Sequence, residues 1–488
     1  MHKIDRRKFI KSAGLAGGAI SLAGAAVAGY SAGSDTDSYT GYGRTAYGED
    51  QFFNRRRFLV DNPTYIKQGD PVRITAVEDI FKRNGEMSRL MFSRGGDAPA
   101  WQPADGIASL PEHLKNYYSD NPGALDEFIR AMEKGREQRA NWDKYRDKYF
   151  IADAWSTAHS SPIRNRASFP AEPQGRPEES DFRGVNSVRL ELKSAAHGSE
   201  LIKKIAYSFG ASLVGIAKVK KEWVYQGSLR GVGREDYEVP AHWKYAVVIA
   251  VPHEWDSMYA NPTYGTSYDA YSKLRFISGK MEVFIKELGY SARSHVPPTS
   301  YDLVMPPLAI DAGLGEQGRN GILITPELGA NTRLAAITTD IPLEPDKPID
   351  IGISRFCKKC KICAEECPSG AITSSDTPET VVRGYRRWKI DQNKCFTIWN
   401  SVATSHARGC RVCLSVCPYS RKNNWVHGFA RKADPRDPTG LVASGLLLMQ
   451  KKFFHYPGGQ EYLPPPDGSN QTFGEAPEWL ETEKWFKI

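Results

Sequence analysis

Residues 357–370 read "CKKCKICAEECPSG", and residues 410–418 read "CRVCLSVCP". The first stretch spaces its thiols as Cys357-x2-Cys360-x2-Cys363-x3-Cys367 before Pro368. The second runs Cys395-x14-Cys410-x2-Cys413-x3-Cys417 before Pro418, the same ending with its first cysteine moved onto a longer loop. This is the spacing of a bacterial two-cluster ferredoxin, in which three close cysteines wrap one [4Fe–4S] cube and the fourth reaches the other. The crossover rule then pairs Cys357, Cys360, Cys363 and Cys417 on cluster one, and Cys395, Cys410, Cys413 and Cys367 on cluster two. Two four-thiolate zinc sites are the competing reading, but zinc usually takes paired CxxC knuckles, which this pattern fits poorly.

All eight cysteines lie between 357 and 417, and the remaining 427 residues have none. A disulfide scaffold spreads its bridges through the fold, so this clustering argues for metal. Two cubes that share ligand loops sit close enough to pass electrons, and such a relay implies an acceptor.

The chain opens with the twin-arginine pattern of Asp5-Arg6-Arg7-Lys8-Phe9-Ile10-Lys11. A Gly/Ala-rich stretch from Ala13 to Ala28 follows, with Ala26-Val27-Ala28 as a small-x-small cleavage site. Residues 1–28 are therefore expected to be a signal peptide for export in the folded state. Cubes built in a reducing cytoplasm then survive the passage, which reconciles the thiols with export. The formal net charge of +8 falls to about +4 without the leader, and no long basic block appears, so nucleic acid is not an expected partner. Nothing after the leader reaches the roughly 20 apolar residues of a membrane span.

The 488 residues suffice for several domains. Residues 29–190 are polar, aromatic and turn-rich around one helical segment, 124–145, and read as an N-terminal wrapping domain. Residues 191–349 alternate helices with apolar strands: "SELIKKIAYSFG" with Gly210 as its stop, then "ASLVGIAKV", "YAVVIAVP", the long helix 270–290, and "RLAAITTDIPL". That order implies an α/β core. The cysteine domain covers 350–425, and a turn-rich extension runs through 426–488.

The run from Leu308 to Ile372, "LAIDAGLGEQGRNGILITPELGANTRLAAITTDIPLEPDKPIDIGISRFCKKCKICAEECPSGAI", resembles the core of the respiratory reductive dehalogenases. The resemblance continues through "KCFTIW", "CRVCLSVCPYS" and "NNWVH". It implies an α/β (α+β) architecture: a nitroreductase-like corrinoid-binding core with a bacterial ferredoxin-like 2[4Fe-4S] domain. The cofactors it implies are two [4Fe-4S] clusters and a corrinoid of the cobalamin type, held base-off. The implied reaction replaces carbon–halogen by carbon–hydrogen in a small organohalide, or eliminates vicinal halogens, at Co(I), as the terminal step of an anaerobic respiration. The implied partners are a respiratory electron donor and a small integral-membrane anchor subunit, with the enzyme peripheral on the outer face of the cytoplasmic membrane.

Matching the helix "AYSKLRFISGKMEVFIKELGY" to the family pattern places the proton donor at Tyr271, with Tyr268 as its rival, and the charge-stabilising arginine at Arg333. A tyrosine is protonated at neutral pH, and a neighbouring cation favours the tyrosinate left behind. The family position for a third catalytic group falls in "RSHVPPTSYD", where Ser300 or Tyr301 is nearest by count. Trp399 matches a pocket tryptophan, or packs on cluster two. Arg319, Thr325, Gly329 and Asn331 are expected at the corrinoid, although Arg319 could equally cap its turn. Trp425 and His427 are expected to line the corrinoid side. Two other functions fit parts of the pattern: an epoxyqueuosine-reductase-like enzyme, and a ferredoxin-type electron carrier.

Overall fold

A computed structural model of the chain describes residues 58–91, 100–142, 185–226, 239–254, 258, 263–264, 266–297, 301–401, 408–420, 433–434, 437 and 439–453. The twin-arginine leader and its cleavage site, Ser300, Trp425 and His427 lie outside these residues.

In chain order the elements that build the site begin with strand β1 (Ile66–Lys67) and helices α1 (Ile80–Met91), α2 (Glu112–Asp120) and α3 (Ala124–Trp142). The core follows with α4 (Ala195–Ser208), β2 (Leu213–Lys218), β3 (Tyr245–Val251), β4 (Thr263–Tyr264), α5 (Thr266–Glu287), β5 (Ala292–His295) and α6 (Met305–Asp311). Short strands β6 (Glu316–Gln317) and β7 (Leu323–Ile324) precede the long strand β8 (Arg333–Thr339). The cysteine region holds α7 (Ile353–Cys360), α8 (Ile362–Glu365), β9 (Thr380–Val382), β10 (Tyr385–Arg387), α9 (Gln392–Ser401), β11 (Arg408–Gly409) and α10 (Val412–Ser415). A final helix, α11, spans Leu441–Phe453.

The central sheet has the order β2-β3-β8-β5, and every neighbouring pair is antiparallel. Its middle strand is β-branched and apolar on both faces, and Ala246 through Ala250 are fully buried. Helix α5 covers one face because Ala270, Leu274, Ile277, Met281 and Ile285 recur at helical spacing and are buried there. Helix α4 starts at Ser194, whose hydroxyl accepts from His197 N. It stops where the sequence expects: Gly210 takes φ +104°, Gly210 N bonds Tyr207 O, and Ala211 N bonds Ala206 O. That double bond is a Schellman stop. On the other face, α6 packs Leu308, Ala309 and Ile310 into a second core.

The N-terminal segment is tied to both other parts. Strand β1 pairs with β10, and Leu59 bridges Ile349. Met87, Leu114, Tyr118 and Phe128 form their own apolar cluster, into which Phe396 of α9 packs. Phe396 follows Cys395 directly, so this packing anchors the displaced first cysteine of the second set.

Candidate active site beside two iron–sulfur motifs

The two cysteine motifs fold alike. Cys360 closes α7, Lys361 turns the chain at φ +54°, and α8 carries Cys363. Arg411 occupies the matching position before α10, which carries Cys413. The structure brings Cys357, Cys360, Cys363 and Cys417 within reach of one another's charge. Cys395, Cys410 and Cys413 form a second group with Cys367. Cys363 also feels Cys413, so the groups are adjacent. These are the two sets that the crossover rule assigns. Burial pushes the Cys357 thiol up to about 12 and Cys395 up to about 11, so cationic iron is needed to hold them as thiolates. Cys395 has exposed surface and lines a cavity. The thiols do not converge on a point: among the described residues no three His, Cys, Asp or Glu side chains could hold a single ion. A cube takes each thiolate on a separate iron and needs no such convergence.

That cavity measures about 1990 Å³. Three walls bound it: α1 and the loop before it, the core around Tyr271 and Arg333, and the second cysteine group with Trp399 and Arg411. It exceeds the roughly 300–1,000 Å³ of an ordinary small-molecule pocket. Several wall groups are buried without a hydrogen-bond partner, namely Thr332 Oγ1, Arg333 Nε, Arg83 Nε and Arg387 Nε. Orphaned polar atoms around so large a space fit a bulky ligand that carries many amide groups, as a corrinoid does.

Tyr271 lines the cavity, with the Arg333 guanidinium carbon 5.5 Å from its ring centre. Tyr268 lines the same cavity. Arg333 is the first residue of β8 and donates through Nη2 to Ser267 Oγ (3.0 Å), one turn before Tyr271 on α5. Arg411 donates to the same hydroxyl through Nε (3.1 Å) and also through Nη2. Burial and the charge of Arg333 lower Arg411 to about 10, so it remains a cation at neutral pH. Behind them His253 is completely buried. Its Nδ1 donates to Asn331 Oδ1 (2.8 Å), and burial with the nearby arginines holds its pKa well below the ordinary imidazole value.

Trp399 lines the cavity edge-on to Phe81 (5.6 Å) and 5.5 Å from the Arg411 guanidinium carbon. Tyr301, next to the unplaced Ser300, is buried at the wall and donates to Asp79 Oδ2 (2.8 Å).

Four residues expected at the corrinoid do not line the cavity. Arg319 is 1% exposed and gives its guanidinium to the carbonyls of Cys357, Thr373 and Ser375. Thr325 Oγ1 accepts from Leu328 N within the same turn. Gly329 takes φ +60° and approaches the Tyr419 peptide so closely that a Cβ would stand 2.1 Å from its carbonyl oxygen. Asn331 is spent on His253. Within "ITPELGANTR", Thr325, Gly329 and Asn331 are thus engaged with protein groups, whereas Thr332 and Arg333 at its end line the cavity. Arg411, Ser267 and His253 were not singled out from sequence. The one available signal was a charged residue between two cysteines of the second motif.

Interleaved cysteine sets at this spacing define a two-cluster iron–sulfur protein, and residues 356–421 match the model of the 4Fe-4S dicluster domain. Over about half of its length the chain is similar to reductive dehalogenases. It is 31% identical over 302 residues to a tetrachloroethene reductive dehalogenase of Desulfitobacterium hafniense strain Y51, covering 51% of this chain and 54% of that protein. A solved reductive dehalogenase, whose structure "suggests a mechanism for B12-dependent dehalogenation", superposes with a TM-score of 0.60 at 22% identity. That match covers 88% of this chain and 53% of the solved one, and it shows a shared fold. An epoxyqueuosine reductase of Listeria monocytogenes is more distant, 28% identical over 182 residues, 36% of this chain and 45% of that protein. The chain spans about half the length of the curated relative matched first.

Proposed function

We propose that this chain is a reductive dehalogenase that takes two electrons and one proton to convert a carbon–halogen bond to carbon–hydrogen and halide. The observation that carries the reading is that Tyr271 and Arg333 line the same cavity as the second cysteine group. The name printed for the Desulfitobacterium relative, a tetrachloroethene reductive dehalogenase, supports a small organohalide as substrate.

A corrinoid bound in the cavity would supply strongly reducing cobalt for breaking the carbon–halogen bond. Thr332, Arg333 and Arg387 are the residues whose orphaned groups would hold it. Cys395, Cys410, Cys413 and Cys367 would bring the cluster that delivers electrons one at a time to the cavity. Tyr271 Oη gives the proton to carbon, and Arg333 holds the charge of the resulting tyrosinate. Trp399 and Phe81 exclude water and present flat apolar surface to a chlorinated alkene or ring. A plain electron carrier has no need of such a cavity.

The division into a leader (1–28), an N-terminal wrap (29–190), a core (191–349), a cluster domain (350–425) and an extension (426–488) is part of the same proposal. So are twin-arginine export, a membrane anchor subunit and a respiratory electron donor. Among the described residues no helix is long and apolar enough to cross a membrane, which suits a peripheral enzyme held by another subunit.

The test is an anaerobic panel of chlorinated alkenes and halogenated aromatics, reduced by methyl viologen and followed by halide release. Release by the native protein that is lost in Tyr271→Phe supports the reading. A cobalt-loaded protein that releases halide from no member of the panel contradicts it.

A further inference from the structure

Arg411 meets Arg333 on one neutral hydroxyl. Both guanidiniums donate to Ser267 Oγ, and among the described residues neither has a carboxylate partner. Two like charges gathered on one serine, Arg411 buried and Arg333 half-buried, are unfavourable unless negative charge stands nearby. Arg411 has a source of it: the residue lies between Cys410 and Cys413, and its Nη1 donates to the Cys410 carbonyl (2.6 Å). A cube with four thiolates carries net negative charge. The other side of the same guanidinium reaches the helix of Tyr271, because Ser267 and Tyr271 are one turn apart on α5.

We infer that Arg411 is a positioning residue that sets the reduction potential of cluster two and fastens that cluster to the helix bearing the proton donor. Its charge stabilises the more negative, reduced cube, since a buried cation is weakly screened. Its planar fork spans from the Cys410 main chain to Ser267, a geometry that lysine does not reproduce. The same cation lies near Tyr271 and disfavours loss of charge balance there when the tyrosinate forms. The fastening to Tyr271 rests on the proposed dehalogenation, whereas the effect on potential does not.

Three variants separate charge from joint. Arg411→Gln removes the charge, Arg411→Lys keeps it without the fork, and Ser267→Ala keeps both arginines without their shared acceptor. Midpoint potentials of both clusters are read by electron paramagnetic resonance during a redox titration, with iron content measured on each protein. In Arg411→Gln, cluster two becomes harder to reduce by at least tenfold in equilibrium, about 59 mV for one electron, while cluster one stays put. Arg411→Lys and Ser267→Ala hold cluster two within that interval of native, and each slows halide release at least tenfold. An unmoved potential in an Arg411→Gln protein with both clusters overturns the inference. Should that variant fail to hold cluster two, Ser267→Ala decides, and native turnover there overturns it. A shifted potential in a protein that dehalogenates nothing would remove the proposed function and leave the redox role standing.

Discussion

Arg333 places its guanidinium carbon 5.5 Å from the ring centre of Tyr271, and both residues face the cavity that the second cysteine group closes. One cation beside one phenol is the arrangement expected of a neutral acid whose conjugate base must be tolerated briefly. The strand start that carries Arg333 and the helix that carries Tyr271 belong to the same packed layer, so the pair is held by the core and not by a loop.

Tyr271→Phe removes the proton and leaves the ring. A positioned general acid contributes about 10²–10⁴-fold, so halide release falls at least about 100-fold. Iron content and melting temperature stay native, because the ring still packs from α5 onto the core. Initial rates of halide release, with iron analysis of the same samples, check this.

Arg319→Met leaves the carbonyls of Cys357, Thr373 and Ser375 without their donor. Hydrogen bonds from a charged group are worth about 1.5–3 kcal/mol each, so the loss exceeds about 3 kcal/mol and falls on the first cluster loop. Iron and sulfide analysis should show cluster one depleted, with a lowered melting temperature.

Gly329→Ala sets a methyl group against the Tyr419 carbonyl at φ +60°. Left-handed strain and overpacking together cost about 2–4 kcal/mol. Cys417 precedes that turn by two residues, so the expected result is lower thermal stability together with loss of iron from cluster one.

Glu316 is 2% exposed, accepts from Ile351 N (2.6 Å) and Ile353 N (3.2 Å), and has its carboxyl raised by burial from 4.5 to about 7. A raised acid binds its proton more tightly in the folded chain than in the unfolded one. Its contribution is therefore full below 4.5 and declines as pH rises toward 7, by up to about 3 kcal/mol. Native protein should lose melting temperature between about pH 5 and 7 relative to Glu316→Gln. Parallel curves for the two proteins would contradict the assignment.

Much of this site was legible because thiol spacing is a local code. Cys357 to Cys417 can be paired from sequence alone, since a cube imposes its geometry on the loops that wrap it. Strand β3 and helix α5 were equally readable from an unbroken apolar run and from helical spacing. The antiparallel order of the sheet was not, because alternating helices and strands do not fix strand direction. The shared hydroxyl of Ser267 was also hidden: Arg411 lies 144 residues from it, and no local pattern announces the contact. Arg319 and Asn331 look like donors waiting for a ligand until their protein partners are seen. The cavity itself needs Phe81, Tyr271 and Trp399 from three separate stretches of chain.

The most direct test is a metal and corrinoid analysis of the anaerobically purified protein. The account predicts iron and sulfide for two cubes together with one cobalt corrinoid per chain. Zinc in place of iron, or two full cubes with no cobalt after reconstitution with a corrinoid, would contradict it.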